Sequence, residues 1–205
     1  MALSTTAEIF GIDSENYLFH RLNIECGKDI PNLITRRQYN QRRKQTYRLC
    51  EEIRKDIALV IDGREDVFSI DSKPVKVCQN ARAGRCAMGK DNPETAPAWG
   101  YCASQNMHYY GYKLHAVCGI SGVIHSCDMT AANVHDLHYL DDVKWQYSDC
   151  LMLGDMGYLS ADIQQNLFDV AHISLEVPYR FNQKNRRPPI WAYKRFRKGI
   201  ETIFS

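Results

Sequence analysis

No stretch of the 205-residue chain is apolar for long enough to cross a bilayer, and the N-terminus lacks the charged-then-apolar pattern of a secretory signal. These absences make a cytoplasmic protein the expectation. No two of the eight cysteines form a C-x-x-C pair, and most sit inside apolar runs, so reduced, partly buried thiols are expected rather than a disulfide framework or a zinc site. Strong net charge is also missing: 26 Lys and Arg against 24 Asp and Glu leave +2. A polyanionic partner would have to be met by local clusters. What is present is enough apolar sequence, 44%, for one domain with a sizeable core and an extension.

Basic residues do cluster. From Thr35 to about Ile61 the chain reads as one long helix, with Leu49, Ile53, Ile57 and Val60 at helical spacing. Arg36, Arg37, Arg42 and Arg43 crowd its first half among Gln and Asn. Such a face is most often merely solvated; the arginine density favours contact with DNA phosphates. A second basic segment holds Arg180, Lys184, Arg186 and Arg187, closed by Pro188-Pro189. Upstream, Thr6 to Phe10 and Tyr17 to Leu22 suggest a short helical hairpin, so residues 1–62 form a basic helical segment suited to DNA.

Residues 63–205 read as a separate α/β domain. Val67-Phe68-Ser69-Ile70-Asp71 is an apolar strand that delivers a carboxylate near its end, stopped at Pro74. Residues 74–108 look like an irregular insertion. A hairpin follows, Tyr109 to Cys118 and Val123 to Met129, turning at Ile120-Ser121-Gly122. Residues 134–145, with Val134, Leu137, Leu140 and Val143 as their apolar stripe, give a crossover helix. Cys150 to Leu153 is a strand leading to Asp155; then come a helix with Ile163, Leu167 and Val170 on one face, a strand at Ile173 to Val177, and a last helix bearing Arg197 and Glu201. The crossover helix allows parallel pairing of the two Asp-bearing strands, which sets Asp71 and Asp155 at one end of a mixed sheet. Glu201 reaches that end from the terminal helix. Three such carboxylates repel one another without a cation. Oxygen ligands of this kind suit Mg²⁺ or Mn²⁺, and two ions would serve phosphoryl transfer. Arg197, one turn before Glu201, reads equally well as a DNA contact and as an exposed helical ion pair.

Phe68-Ser69-Ile70-Asp71-Ser72-Lys73-Pro74, Gly111-Tyr112-Lys113-Leu114-His115, Asn133-Val134-His135-Asp136, Leu153-Gly154-Asp155-Met156-Gly157-Tyr158 and Ile200-Glu201-Thr202-Ile203-Phe204 together resemble the DDE transposases of bacterial insertion sequences, nearest to the IS nine-eight-two family. The resemblance implies an RNase H-like mixed five-stranded sheet flanked by helices. It implies Mg²⁺-dependent cleavage of double-stranded DNA at the element's ends, strand transfer to target DNA, and work as a homodimer on the nucleoid. It assigns Asp71, Asp155 and Glu201 as the catalytic, metal-holding carboxylates. Against the family pattern the chain starts late and stops four residues after Glu201, and Gly199 stands where a basic residue is expected. A truncated, weakly active copy is therefore the expectation. Another RNase H-like nuclease, or an inactive DNA-binding remnant, remains open beside the transposase.

Overall fold

The computed structural model describes residues 2–63, 66–89, 91–179 and 191–204. The chain forms two compact units, Met1–Asp56 and Ile57–Ser205. The first holds α1 (Ala2–Ile9), α2 (Glu15–Glu25) and most of α3 (Arg36–Asp62). Ser14 starts α2, its Oγ accepting from the Tyr17 amide at 3.3 Å. Thr35 and Gln38 start α3 reciprocally: the Gln38 amide donates to Thr35 Oγ1 at 3.3 Å and the Thr35 amide to Gln38 Oε1 at 2.9 Å. Ala7, Leu18, Phe19 and Tyr39 make a small core, with Phe19 edge-on to Tyr39.

The apolar stripe of α3 is not a buried face. Leu49 and Ile57 are half exposed and Val60 is 84% exposed, whereas Tyr39 and Ala58 are buried. Helical spacing identified the helix, but nothing among the described residues covers that stripe. Asp62 instead ends the helix in a polar anchor, with Ser121 Oγ donating to one carboxylate oxygen and His125 Nε2 bonded to the other at 2.7 Å.

The second unit is built on a six-stranded mixed sheet. The five expected strands are β1 (Val67–Lys76), β3 (Met107–Gly119), β4 (Ile124–Ala131), β5 (Leu151–Leu153) and β6 (Ser174–Glu176). The sixth, β2 (Ala98–Cys102), lies in the segment that reads as irregular and pairs with residues 107–111 of β3, while β4 pairs with residues 112–118. β1 is antiparallel to β3 and parallel to β5. It does not stop at Pro74 but runs on to Lys76. The parallel pairing ends at Ser69 opposite Leu153, so beyond that point one edge of β1 has no ladder to which Pro74 would owe an N–H.

Alternation along the strands covers both faces of the sheet. Phe68, Ile70, Val117 and Met152 pack with Leu140 and Val143 of α4 (Leu140–Gln146), Leu167 of α5 (Ala161–Ala171), and Ile173. On the other face Ala116 and Cys118 pack against Ile200 of α6 (Trp191–Phe204). Within α5 the buried row is Leu167 and Ala171; Val170 is exposed. No helix among the described residues is long and apolar enough to cross a membrane.

Candidate active site

The same alternation decides where Asp71 points. Phe68 and Ile70 enter the core, so Ser69 and Asp71 face α6, and Ser69 Oγ donates to the Phe196 carbonyl at 3.4 Å. Ser69 and Leu153 are register partners, so Asp71 and Asp155 each stand two residues past the last parallel pair. One oxygen of each carboxylate is fixed by the following amide: Asp71 Oδ1 by Ser72 at 2.8 Å, Asp155 Oδ1 by Met156 at 2.6 Å. On α6, Tyr193, Arg197 and Glu201 recur every four residues and share one stripe. The Tyr193 hydroxyl donates to the Gly154 carbonyl, just before Asp155, and accepts from Arg197 Nη1 at 3.0 Å.

Arg197 is the surprise of the site. The sequence places it on the outer, basic side of its helix; it is buried instead. Its Nη2 lies 3.3 Å from Asp71 Oδ2 and 3.7 Å from Glu201 Oε1, and its Nη1 lies 3.5 Å from Asp155 Oδ1. All three carboxylates thus surround one guanidinium. Burial pushes the Asp71 carboxyl above its ordinary range, with the Ser72 amide and Arg197 pulling the other way. Burial also works against charge on Arg197, but Tyr193 and the two aspartates outweigh it and raise its pKa.

The carboxylates open into a cleft of about 730 Å³ that also takes in Ser72, Tyr101 to Gln105, Lys113, Asp136 and Tyr158. Their all-oxygen donor chemistry fits a hard divalent cation, and they already enclose a positive charge. Among the described residues, however, no three acidic, His or Cys side chains stand close enough to ligate an ion as they are.

Sequence reasoning left Lys113 and Asp136 without a role in this cleft. Lys113 Nζ donates to the Val134 carbonyl at 2.7 Å and to Asp136 Oδ1 at 3.1 Å, and Ser72 Oγ donates to the same oxygen at 3.2 Å. Both residues lie in segments that carry the family resemblance, and that was the available signal. Of the residues expected to meet DNA, Arg36, Arg37 and Arg42 are exposed on α3, while Arg43 pairs with Glu15 at 2.9 Å. Arg180, Lys184, Arg186 and Arg187 lie outside the described residues.

A mixed sheet that delivers two aspartates beside a glutamate-bearing helix defines a class of nucleotidyl-transfer fold. The model of the transposase DDE domain family matches residues 62–205, and the chain belongs to that family. Its sheet and flanking helices have the RNase H-like arrangement of DDE transposases. No curated protein and no solved structure matches the chain.

Proposed function

We propose that the protein is a transposase of the IS nine-eight-two type that cuts DNA at the ends of its insertion sequence and joins the freed end to target DNA. The observation that carries this reading is the convergence of Asp71, Asp155 and Glu201 on one cation in a cleft, in a chain of the transposase DDE family. Water attack on the end phosphodiester forms one P–O bond and releases the 3′-oxygen, which takes up a proton. That 3′-hydroxyl then gives up its proton and attacks a phosphodiester of the target, forming a new P–O bond and breaking the bond to the target's 3′-oxygen, which leaves and takes up a proton. Asp71, Asp155 and Glu201 are the residues that would hold Mg²⁺ or Mn²⁺, which when bound stabilise the attacking and leaving oxygens. Tyr193 fixes the chain at Gly154, and Arg197 holds the three carboxylates together. The exposed arginines of α3 and the basic segment with Arg180, Lys184, Arg186 and Arg187 supply sequence-independent phosphate contacts on double-stranded DNA. The site would work as one half of a homodimer, since two ends are joined, on the nucleoid in the cytoplasm.

The test is cleavage of a duplex carrying the DNA that flanks the gene, with Mg²⁺ or Mn²⁺ added. Cutting at the element boundary is expected, and Asp71→Asn or Asp155→Asn should abolish both cutting and calorimetric Mn²⁺ binding. Unchanged Mn²⁺ binding in both variants rejects the carboxylate assignment. A second reading, another nuclease of the same fold, draws on Asp136, a fourth carboxylate in the cleft. Asp136 is held by Lys113 and Ser72 rather than by Arg197, which favours the transposase. Preference for an RNA–DNA hybrid or a four-way junction over the element end would reverse that choice.

A further inference from the structure

Asp136 touches both aspartate-bearing segments of the cleft. Its Oδ1 accepts from Ser72, the residue after Asp71. Its Oδ2 lies so close to Gly157, two residues after Asp155, that a Cβ there would stand 3.2 Å away. The same Oδ1 accepts from Lys113, which β3 sets opposite Pro74. Next to them the Tyr158 hydroxyl is buried near Ser72, without a hydrogen bond of good geometry among the described residues. Lys113 is only 17% exposed. Ordering so flexible a side chain costs rotamer freedom, and desolvating both partners offsets much of what the ion pair gains. An ion pair kept for stability alone is a poor explanation of that arrangement.

The charge of the cleft supplies a better one. Asp71, Asp136, Asp155 and Glu201 face Lys73, Lys113 and Arg197, and Arg197 is already committed to three carboxylates. A DNA phosphate entering this cleft needs a cation that is held in place and still has a donor left. Val134 and Asp136 take two of the three donors on the Lys113 ammonium. We propose that Lys113 binds a non-bridging oxygen of the phosphate to be cleaved, and that Asp136 is the positioning residue that aims it. A compact ammonium suits this role, because it acts as a point charge on phosphate. Asp136 also ties the aim of Lys113 to the two catalytic segments, through Ser72 on one side and Gly157 on the other. The inference rests on the transposase reading.

The test reads binding, so it does not depend on turnover. An element-end duplex in Ca²⁺ is compared with one carrying a single uncharged methylphosphonate at the cleavable linkage. Wild type should bind the neutral linkage about tenfold more weakly, the size of a hydrogen bond to a charged group. Lys113→Ala should bind the normal duplex about tenfold more weakly and no longer distinguish the two. Asp136→Asn keeps the ammonium and should retain affinity but lose most of the discrimination. Lys113→Met/Asp136→Asn removes both charges, leaves neither unpaired, and must behave as Lys113→Ala does. Full discrimination in Lys113→Ala overturns the inference alone, provided wild type cuts the end. A wild type that neither binds nor cuts it removes the transposase reading and this inference together.

Discussion

Around Arg197 the three carboxylates are balanced by a charge that belongs to the protein. Asp155 and Glu201 are each more than half exposed, so their share is screened, while Asp71 and the guanidinium are largely desolvated. Arg197→Gln should therefore destabilise the metal-free protein by about 1–3 kcal/mol, the usual result of leaving a buried charge unsatisfied. In that variant Mn²⁺ should raise the melting temperature more than it does in wild type, because the ion restores the missing positive charge. Equal metal-induced shifts in the two proteins would mean that Arg197 and the ion do not share the carboxylates. His115 gives a second test at this scale. It is fully buried, bonded through Nε2 to Thr130 Oγ1 at 2.8 Å and stacked on Tyr139, and its Nδ1 has no hydrogen-bond partner among the described residues. Burial lowers its pKa, with Lys113 adding to that effect and Asp136 and Asp128 opposing it. The unfolded chain therefore binds this proton at a pH where the native protein does not. Stability from this residue is present above its unfolded pKa of about 6.5 and is lost as pH falls toward the depressed native value. Denaturant titrations of wild type and His115→Gln should differ in slope against pH across that window, with the variant flatter.

Among the elements, α6 allows a prediction opposite to the usual fear of glycine in a helix. Gly199 lies inside α6, and a Cβ there would meet the Gly122 Cα at 3.7 Å, an ordinary contact. Gly199→Ala should thus stabilise the protein by about 0.5–1 kcal/mol, seen as a higher denaturant midpoint with unchanged slope. A lower midpoint would show that the close pass of the β3–β4 turn has no room. Most elements were legible because apolar runs and turn residues marked them: Ile173 to Val177 brackets β6, and Gly122, with φ of +86°, marks the β3–β4 turn. β2 was hidden because Gly100 interrupts its pattern, for a reason that lies far off in sequence: a Cβ there would stand 2.5 Å from the Ala132 carbonyl oxygen. The site was legible as three carboxylates and illegible as a charge balance. Nothing in the spacing Tyr193, Arg197, Glu201 distinguishes an arginine that faces solvent from one drawn beneath the carboxylates. That distinction depends on Asp71 sharing the face of Ser69, not that of Ile70.

For the whole molecule, a net charge of +2 leaves DNA affinity to local clusters, and the described ones fall unequally in the two units. Arg36, Arg37 and Arg42 are exposed on the first unit, whereas Arg43 beside them is tied to Glu15 and lies within 5.7 Å of the Tyr39 ring centre. The carboxylate site lies wholly within the second unit. Replacing Arg36, Arg37, Arg42 and Arg43 together by Gln should weaken duplex binding alike for element ends and unrelated DNA. It should also flatten the plot of log affinity against log salt by the equivalent of three phosphates, roughly 0.9 each. Replacing Arg43 alone should barely move that slope and should instead lower stability through the loss of its contacts with Glu15 and Tyr39. Calorimetric Mn²⁺ binding should be the same in all three proteins, because the metal-holding residues belong to the other unit. A slope unchanged in the fourfold variant would reduce the basic half of α3 to a solvated face. Mn²⁺ affinity lost along with DNA affinity would show instead that the two units do not act separately.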